Sequence, residues 1–328
     1  MADLLPSTSI TVHLPDAYQQ MQGSTAEYAQ LGLHGADNTQ RAYRSDLKQL
    51  AAWLTLHHPG QPLVPLPYAL LADYIAFMAD EGRQVSTITR LLAAVQKAHD
   101  LAGLDSPTKE KALAAVLEGI KRHVGTDQKQ APAFSIVQLK QAIAALDLAT
   151  PRGLRDRALL LLGFSGAFRR SELRGLNLES FSFRDGALIV KMTGSKTSQH
   201  QESEEKAFFY SPSPLYCPIR ALEAWRECLP RTTGPLFVSM VGGSRHTEGK
   251  PSEQRLSSHS INAIVKQHLG EDFSAHSMRA SFVTVAVKSG QNWKTIKNQT
   301  KHKTNTMIER YTRLDDIVKD NAAQHLGL

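Results

Sequence analysis

Cysteine is nearly absent from this chain. Only Cys217 and Cys228 occur in 328 residues, with neither metal-ligand spacing nor enough thiols for a disulfide framework. A reducing cytosol is the setting that this expects. Long apolar runs are also missing: no stretch approaches the ~20 residues needed to span a bilayer, so no membrane partner is expected. The first residues, Met1-Ala-Asp-Leu-Leu-Pro-Ser7, lack a basic region ahead of an apolar one and do not read as a signal peptide. No Walker-type glycine loop and no acidic cluster with metal-ligand spacing is found.

What the chain does have is a soluble composition, 41% hydrophobic and 21% charged, in a length that suits two domains. Its net charge of +7 favours a polyanionic partner. Residues 1–24 mix Pro, Ser, Thr and Gln without a period and read as a loose arm. Helical periodicity begins at Asn38, with Tyr43, Leu47, Leu50 and Leu54 inward and Arg41, Arg44 and Lys48 among the polar positions. A second helix is expected over about 68–79. A third opens with Ser86 as N-cap and stops at Gly103, and it leaves Arg90 and Lys97 outward. A fourth is expected over about 109–123. Residues 25–125 thus read as a basic four-helix module, although Arg and Lys on helix exteriors ordinarily form only a solvated face. Polar residues 126–135, interrupted by Pro132, read as a linker.

Residues 136–328 read as a second domain. A helix follows Ser135, and an apolar helix over 155–164 breaks at Ser165-Gly-Ala167 ahead of Phe168-Arg-Arg-Ser-Glu-Leu173. An arginine at such a turn needs an anionic partner, and Glu172 can supply it. The period then changes to strands at Ala187–Met192 and Lys206–Tyr210, with Lys196 in the connection between them. Residues 242–257 read as a loop. Further helices are expected after Pro218, over 258–269, after Ser274 and around Trp293. The tail after Tyr311 carries an apolar stripe of Leu314, Ile317 and Val318, too short to be stable alone.

The chemistry concentrates between Ser274 and Arg313. His276 and Arg279 are three apart and share a helix face, while His302 and Tyr311 are nine apart. A tyrosine among histidines and an arginine suits attack of a phenol on phosphorus, with fixed cations holding the developing charge. An isolated pair at this spacing is ordinarily coincidence in a chain with 13 His. The order Arg169, Lys196, His276 with Arg279, His302, Tyr311 is not so easily dismissed.

That ordered set resembles the tyrosine recombinase (phage integrase) family. The matching stretches are Phe168-Arg-Arg-Ser-Glu-Leu173, Thr193-Gly-Ser-Lys-Thr197, His276-Ser-Met-Arg279 and Lys301-His302 through Tyr311-Thr-Arg313. Val85-Ser-Thr-Ile88 and Lys129-Gln-Ala-Pro-Ala-Phe134 are similar to segments of the family's N-terminal half, and the resemblance covers about residues 25–325. It implies a mainly α fold with a small β-sheet, made of a helical, SAM-like core-binding domain and an α+β catalytic domain with a C-terminal tail helix. It implies Tyr311 as nucleophile and Arg169, Arg279 and His302 on the phosphate. His276 would orient the phosphate or handle the tyrosine proton, Lys196 would protonate the leaving oxygen, and Glu172 would support Arg169. DNA contacts would come from Arg41, Arg44, Lys48, Ser86, Thr87, Arg90 and Lys97. The resemblance implies no metal and no cofactor. The implied partners are duplex DNA with inverted-repeat sites and three further copies of the chain, exchanging tails in a tetramer on two duplexes in the cytoplasm, at the nucleoid. Two departures stand out. Thr300-Lys301-His302 lacks the glycine usual before this histidine, and Arg170 and Lys191 rival Arg169 and Lys196. The alternatives to recombination are a type IB topoisomerase and an architectural DNA-binding protein without catalysis.

Overall fold

The computed structural model describes residues 37–126, 130–192, 204–242, 249–302, 304, 305 and 308. The chain divides into two compact units between residues 129 and 130.

In the N-terminal unit, helix α1 (Asp37–His57) packs on α3 (Val85–Ala102), and α2 (Tyr68–Asp80) packs on α4 (Lys111–Val124). Leu50, Leu54, Leu71, Ile75, Ile88, Leu91 and Val95 fill the core, the expected periodic positions. Each such fully buried side chain contributes roughly 1.5–3 kcal/mol relative to exposure. His99 is buried and bridges the loop before α2 to α3: its Nε2 accepts the Leu66 N–H (3.1 Å), which leaves Nδ1 to donate to the Val95 carbonyl (2.9 Å). Two expectations shift here. The N-cap of α3 is Gln84, so Ser86 lies in the first turn. Helix α4, expected from about 109, starts at Lys111, and Ser106 caps a short 3-10 turn over Pro107–Lys109 ahead of it.

The C-terminal unit starts earlier than the linker reading allows. The Phe134 ring is buried and its N–H donates to Ser281 Oγ at 2.8 Å, so the end of the stretch 126–135 belongs to this core. Ser135 forms a capping box with Gln138 and starts α5 (Ile136–Ala144). Thr150 caps α6 (Pro151–Ser165), whose leucines 159–162 are buried as expected. Helix α7 (Arg170–Gly175) follows, then an antiparallel sheet of β1 (Phe181–Arg184), β2 (Ala187–Met192) and β3 (Glu204–Phe208) in that order. Lys206 stands opposite Val190 and Lys191 opposite Glu205. Helix α8 (Pro218–Glu227) packs on α6.

The loop expected over 242–257 is in part a strand. β5 (Lys250–Arg255) pairs antiparallel with β4 (Val238–Val241). Lys-Pro-Ser-Glu-Gln-Arg carries no apolar alternation, and only the pairing to the buried Val238 makes it extended. β1 was likewise missed, its burial being too slight to leave a pattern. Helices α9 (Ser258–Leu269), α10 (Ala275–Lys288) and α11 (Trp293–Thr300) complete the described part. Gly163 lets α10 approach α6, since a Cβ there would stand 2.6 Å from Met278 Sδ. Among the described residues, no helix is long and apolar enough to cross a membrane.

Candidate active site

The site is built around the turn that ends α6. Gly166 caps the helix, and a Cβ on it would meet the Phe168 ring at 2.5 Å. Ala167 then turns into the left-handed region at φ 44°, although it is not glycine, and is fully buried. Its carbonyl accepts from Arg279 Nη1 at 2.7 Å and from Lys206 Nζ at 3.2 Å. The Gly166 carbonyl accepts from Lys206 Nζ at 2.7 Å. One backbone turn therefore holds cations from β3 and from α10.

Arg169 comes next and is the N-cap of α7. Glu172 takes it at both ends: Oε2 accepts the Arg169 N–H at 3.0 Å, and Oε1 accepts from the guanidinium Nη1. The same carboxylate pairs with Lys206 Nζ at 3.3 Å. The ion pair expected between Arg169 and Glu172 is present, but it is one side of a triad. Burial pushes the Glu172 carboxyl up, and the Lys206 and Arg169 cations with the Arg169 N–H more than offset this, leaving it below the ordinary glutamate value. Burial lowers Lys206 to about 8, against the partial support of Glu172, with the Arg279 and Arg169 charges adding to the decrease.

Helix α10 carries His276 and Arg279 in its first turns, as their spacing expects. Arg279 is buried, and its Nε donates to His302 Nε2 at 3.3 Å. His302 is buried as well. Desolvation first, then Arg279, Arg169, Lys206 and His276, hold its pKa at about 3, so the ring is neutral at physiological pH. With Nε2 accepting from Arg279, the ring proton sits on Nδ1. His276 is also held below the ordinary histidine value, by desolvation and then by Arg279 and Arg169.

The turn before His302 explains the missing glycine. Lys301 ends α11 in the left-handed conformation at φ 56°, and its N–H donates to the Lys297 carbonyl. Lysine thus adopts the geometry that glycine takes without strain. Gln299 anchors the same helix end, with Nε2 donating to the Ser165 and Ala207 carbonyls at 2.9 Å each.

The structure thus gathers Arg169, Glu172, His276, Arg279 and His302. Lys196 and Tyr311 lie outside the described residues. The rival Lys191 is exposed on the outer face of β2 opposite Glu205, on the other side of the strand from the buried Val190 and Met192. In the N-terminal unit, Arg41, Arg44 and Lys48 are exposed on α1, and Ser86, Thr87, Arg90 and Lys97 lie along α3. Arg90 is expected to face outward as a DNA contact. It is exposed, but Asp46 of α1 binds its Nε and Nη2 at 2.7 and 2.8 Å. Sequence reasoning missed Lys206 and Gln299. For Lys206 the available signal was its place two residues before Phe208, on the inward register of β3.

The phage integrase family profile matches residues 133–317, more than half of the chain and the whole of this constellation. The chain belongs to the phage integrase family. An integrase/recombinase xerD homolog of Selenomonas ruminantium is 32% identical over 302 residues, covering 89% of this chain and 86% of that protein. Tyrosine recombinase XerD of Xanthomonas axonopodis pv. citri is 28% identical over 298 residues, 89% of each chain. Among solved structures, the XerH site-specific recombinase bound to palindromic difH substrate is similar at a TM-score of 0.63 and 16% identity, covering 87% of this chain and 78% of that one. A lambda integrase (75–356) dimer bound to a COC′ core site is similar at 0.52 and 15% identity, covering 84% and 88%. These two likenesses establish the tyrosine recombinase fold. This integrase-family chain is a site-specific tyrosine recombinase, an enzyme that cuts and rejoins DNA. The names of its relatives favour neither the topoisomerase nor the architectural alternative.

Proposed function

We propose that this recombinase acts on duplex DNA carrying inverted-repeat sites through a 3′-phosphotyrosyl intermediate, with Tyr311 as the nucleophile. The observation that carries the reading is the delivery of Arg169 and Arg279 to one locus beside a neutral His302. Two planar guanidinium groups present forked donors that match the non-bridging oxygens of a phosphodiester. The Tyr311 oxygen attacks phosphorus, the bond to the 5′-oxygen breaks, and that oxygen takes a proton from Lys196. His276, held neutral at physiological pH, accepts the phenol proton or orients the phosphate. A 5′-hydroxyl of the exchanged strand then reverses these steps. The phosphotyrosine keeps much of the diester's energy, so rejoining calls on neither ATP nor a metal.

Arg41, Arg44 and Lys48, with Ser86, Thr87, Arg90 and Lys97, supply contacts to the duplex from the N-terminal unit, and such phosphate contacts make affinity fall steeply with salt. Four copies assemble on two duplexes, each tail after Tyr311 docking on the next copy, a head-to-tail contact that closes into a ring. A nicked suicide duplex tests the chemistry. Wild type should form a covalent adduct, and Tyr311→Phe should bind that duplex with none. An adduct from Tyr311→Phe at the wild-type level would assign the nucleophile elsewhere.

A further inference from the structure

Lys206 has no part in the scheme above, yet it sits at the centre of the site's support. Its side chain is fully buried, so it does not reach DNA, and two of the three acceptors it bonds also accept from a site arginine. Nζ bonds the Gly166 and Ala167 carbonyls at 2.7 and 3.2 Å and Glu172 Oε2 at 3.3 Å, and it lies 4.5 Å over the Phe168 ring. The Ala167 carbonyl is the acceptor of Arg279, and Glu172 is the acceptor of Arg169.

We propose that Lys206 is a positioning residue that couples the two arginines, fixing Glu172 against Arg169 and the Ala167 carbonyl against Arg279 through one ammonium group. This rests on the reading of Arg169 and Arg279 as the phosphate-holding pair. The physical case is one of geometry. An ammonium with three donors satisfies two carbonyls and a carboxylate together, which a neutral side chain at this position cannot do. Burying that charge is costly without such partners. A core chosen for stability alone would carry a methionine or leucine here, since replacing buried ion pairs by apolar groups is often neutral or stabilising. The lysine is therefore explained by what it holds. Its lowered pKa adds a consequence: the clamp is charged at neutral pH and is lost as pH rises through about 8. The groups facing it are Glu172, Arg169, Arg279 and His302.

The test uses the full-length protein and a nicked duplex whose sequence is selected from a random library on the wild type. Lys206→Met keeps most of the stem's volume. It should bind this duplex with unchanged affinity and form the covalent adduct on the order of 10²-fold more slowly, the loss expected from misplaced groups. The ratio of wild-type to variant rates should fall as pH rises through about 8. A sulfur at the 5′-bridging position should not rescue the variant, because its defect is not proton donation. If Lys206→Met does not fold, Lys206→Met with Glu172→Gln removes both charges and should show the same slow cleavage. A wild-type rate, a loss confined to binding, a flat rate ratio or rescue by 5′-sulfur would each overturn the positioning role. Failure of the wild type itself to form an adduct would instead remove the recombination chemistry on which the proposal rests.

Discussion

Replacing Glu172 by alanine isolates the energetics of the site's support. The carboxylate is buried and accepts from the Arg169 N–H, the Arg169 guanidinium and Lys206 Nζ. Its removal leaves the Lys206 charge buried with only two carbonyls and the face of Phe168 for company. Breaking a buried pair in this way costs about 3–5 kcal/mol. For a unit of this size, each kcal/mol lowers the melting temperature by about 2–4 °C, so a loss on the order of 10 °C is expected. The sign of its pH dependence follows from Lys206. Lys206 titrates in the folded wild type at about 8, below the ordinary lysine value, and Glu172 is the charge that raises it. Without Glu172 the folded-state pKa falls further. A depressed lysine makes stability rise with pH from its folded pKa up to its unfolded one, because the unfolded chain then binds more protons. That rise starts at lower pH in the variant, so the gap between variant and wild type narrows up to about pH 8 and is constant beyond. Glu172 itself, with a lowered pKa, contributes stability above the unfolded carboxyl value that is lost as pH falls through the folded one. Thermal unfolding of both proteins from pH 6 to 9 measures this. A loss under ~1 kcal/mol, or a gap that does not change across this range, would refute the triad as the structure's support.

Three further outcomes are expected. Lys196→Ala should cleave an ordinary duplex very slowly and recover on a 5′-bridging sulfur substrate; rescue seen for Lys191→Ala instead would move the acid role to a lysine that faces outward. Arg90→Ala should destabilise by about 1–3 kcal/mol, because buried Asp46 loses its fork. It should also weaken specific more than non-specific DNA binding, and equal weakening would make Arg90 a phosphate contact only. Truncation after Arg313 should leave single-site binding intact and abolish four-copy assembly in sedimentation, whereas an undiminished tetramer would place the tail on its own domain.

The parts of the fold that were legible in the sequence are those where burial imposes a period. Leu71, Tyr74, Ile75 and Met78 mark α2, and Leu159 to Leu162 mark α6, because a helix core needs apolar residues at fixed spacing. Strand β5 was illegible because it carries no apolar alternation and gains its conformation by pairing with β4. The cap at Ser135 was legible, because a side-chain oxygen ahead of an apolar period marks it; Thr150 caps α6 in the same way, but that helix was expected only from residue 155. At α3 the start fell two residues early, since Gln84 caps without a side-chain bond and Ser86 only looked the part.

The site divides along a similar line. The residues proposed to hold the phosphate were legible because order and spacing are retained in one dimension, with His276 and Arg279 on one turn, and so was the Glu172 support three residues from Arg169. What holds them in place was not, because Lys206 and Gln299 act through backbone carbonyls that no motif records. Glycine is the ordinary sequence signal for a left-handed turn, and at both turns that aim the site it is absent. Of three described non-glycine residues with positive φ, Ala167 and Lys301 stand at this site, one carrying the carbonyl shared by Arg279 and Lys206 and one directly preceding His302. Such conformations cost of order 1–3 kcal/mol each and persist only where surrounding contacts over-determine them. At Ala167 those contacts are the two cations on its carbonyl. At Lys301 they are the helix-end bond to Lys297 and the grip of Gln299 two residues back. The same bonds that impose the strained turns fix the direction of the arginine and histidine groups, so the two are one structural device.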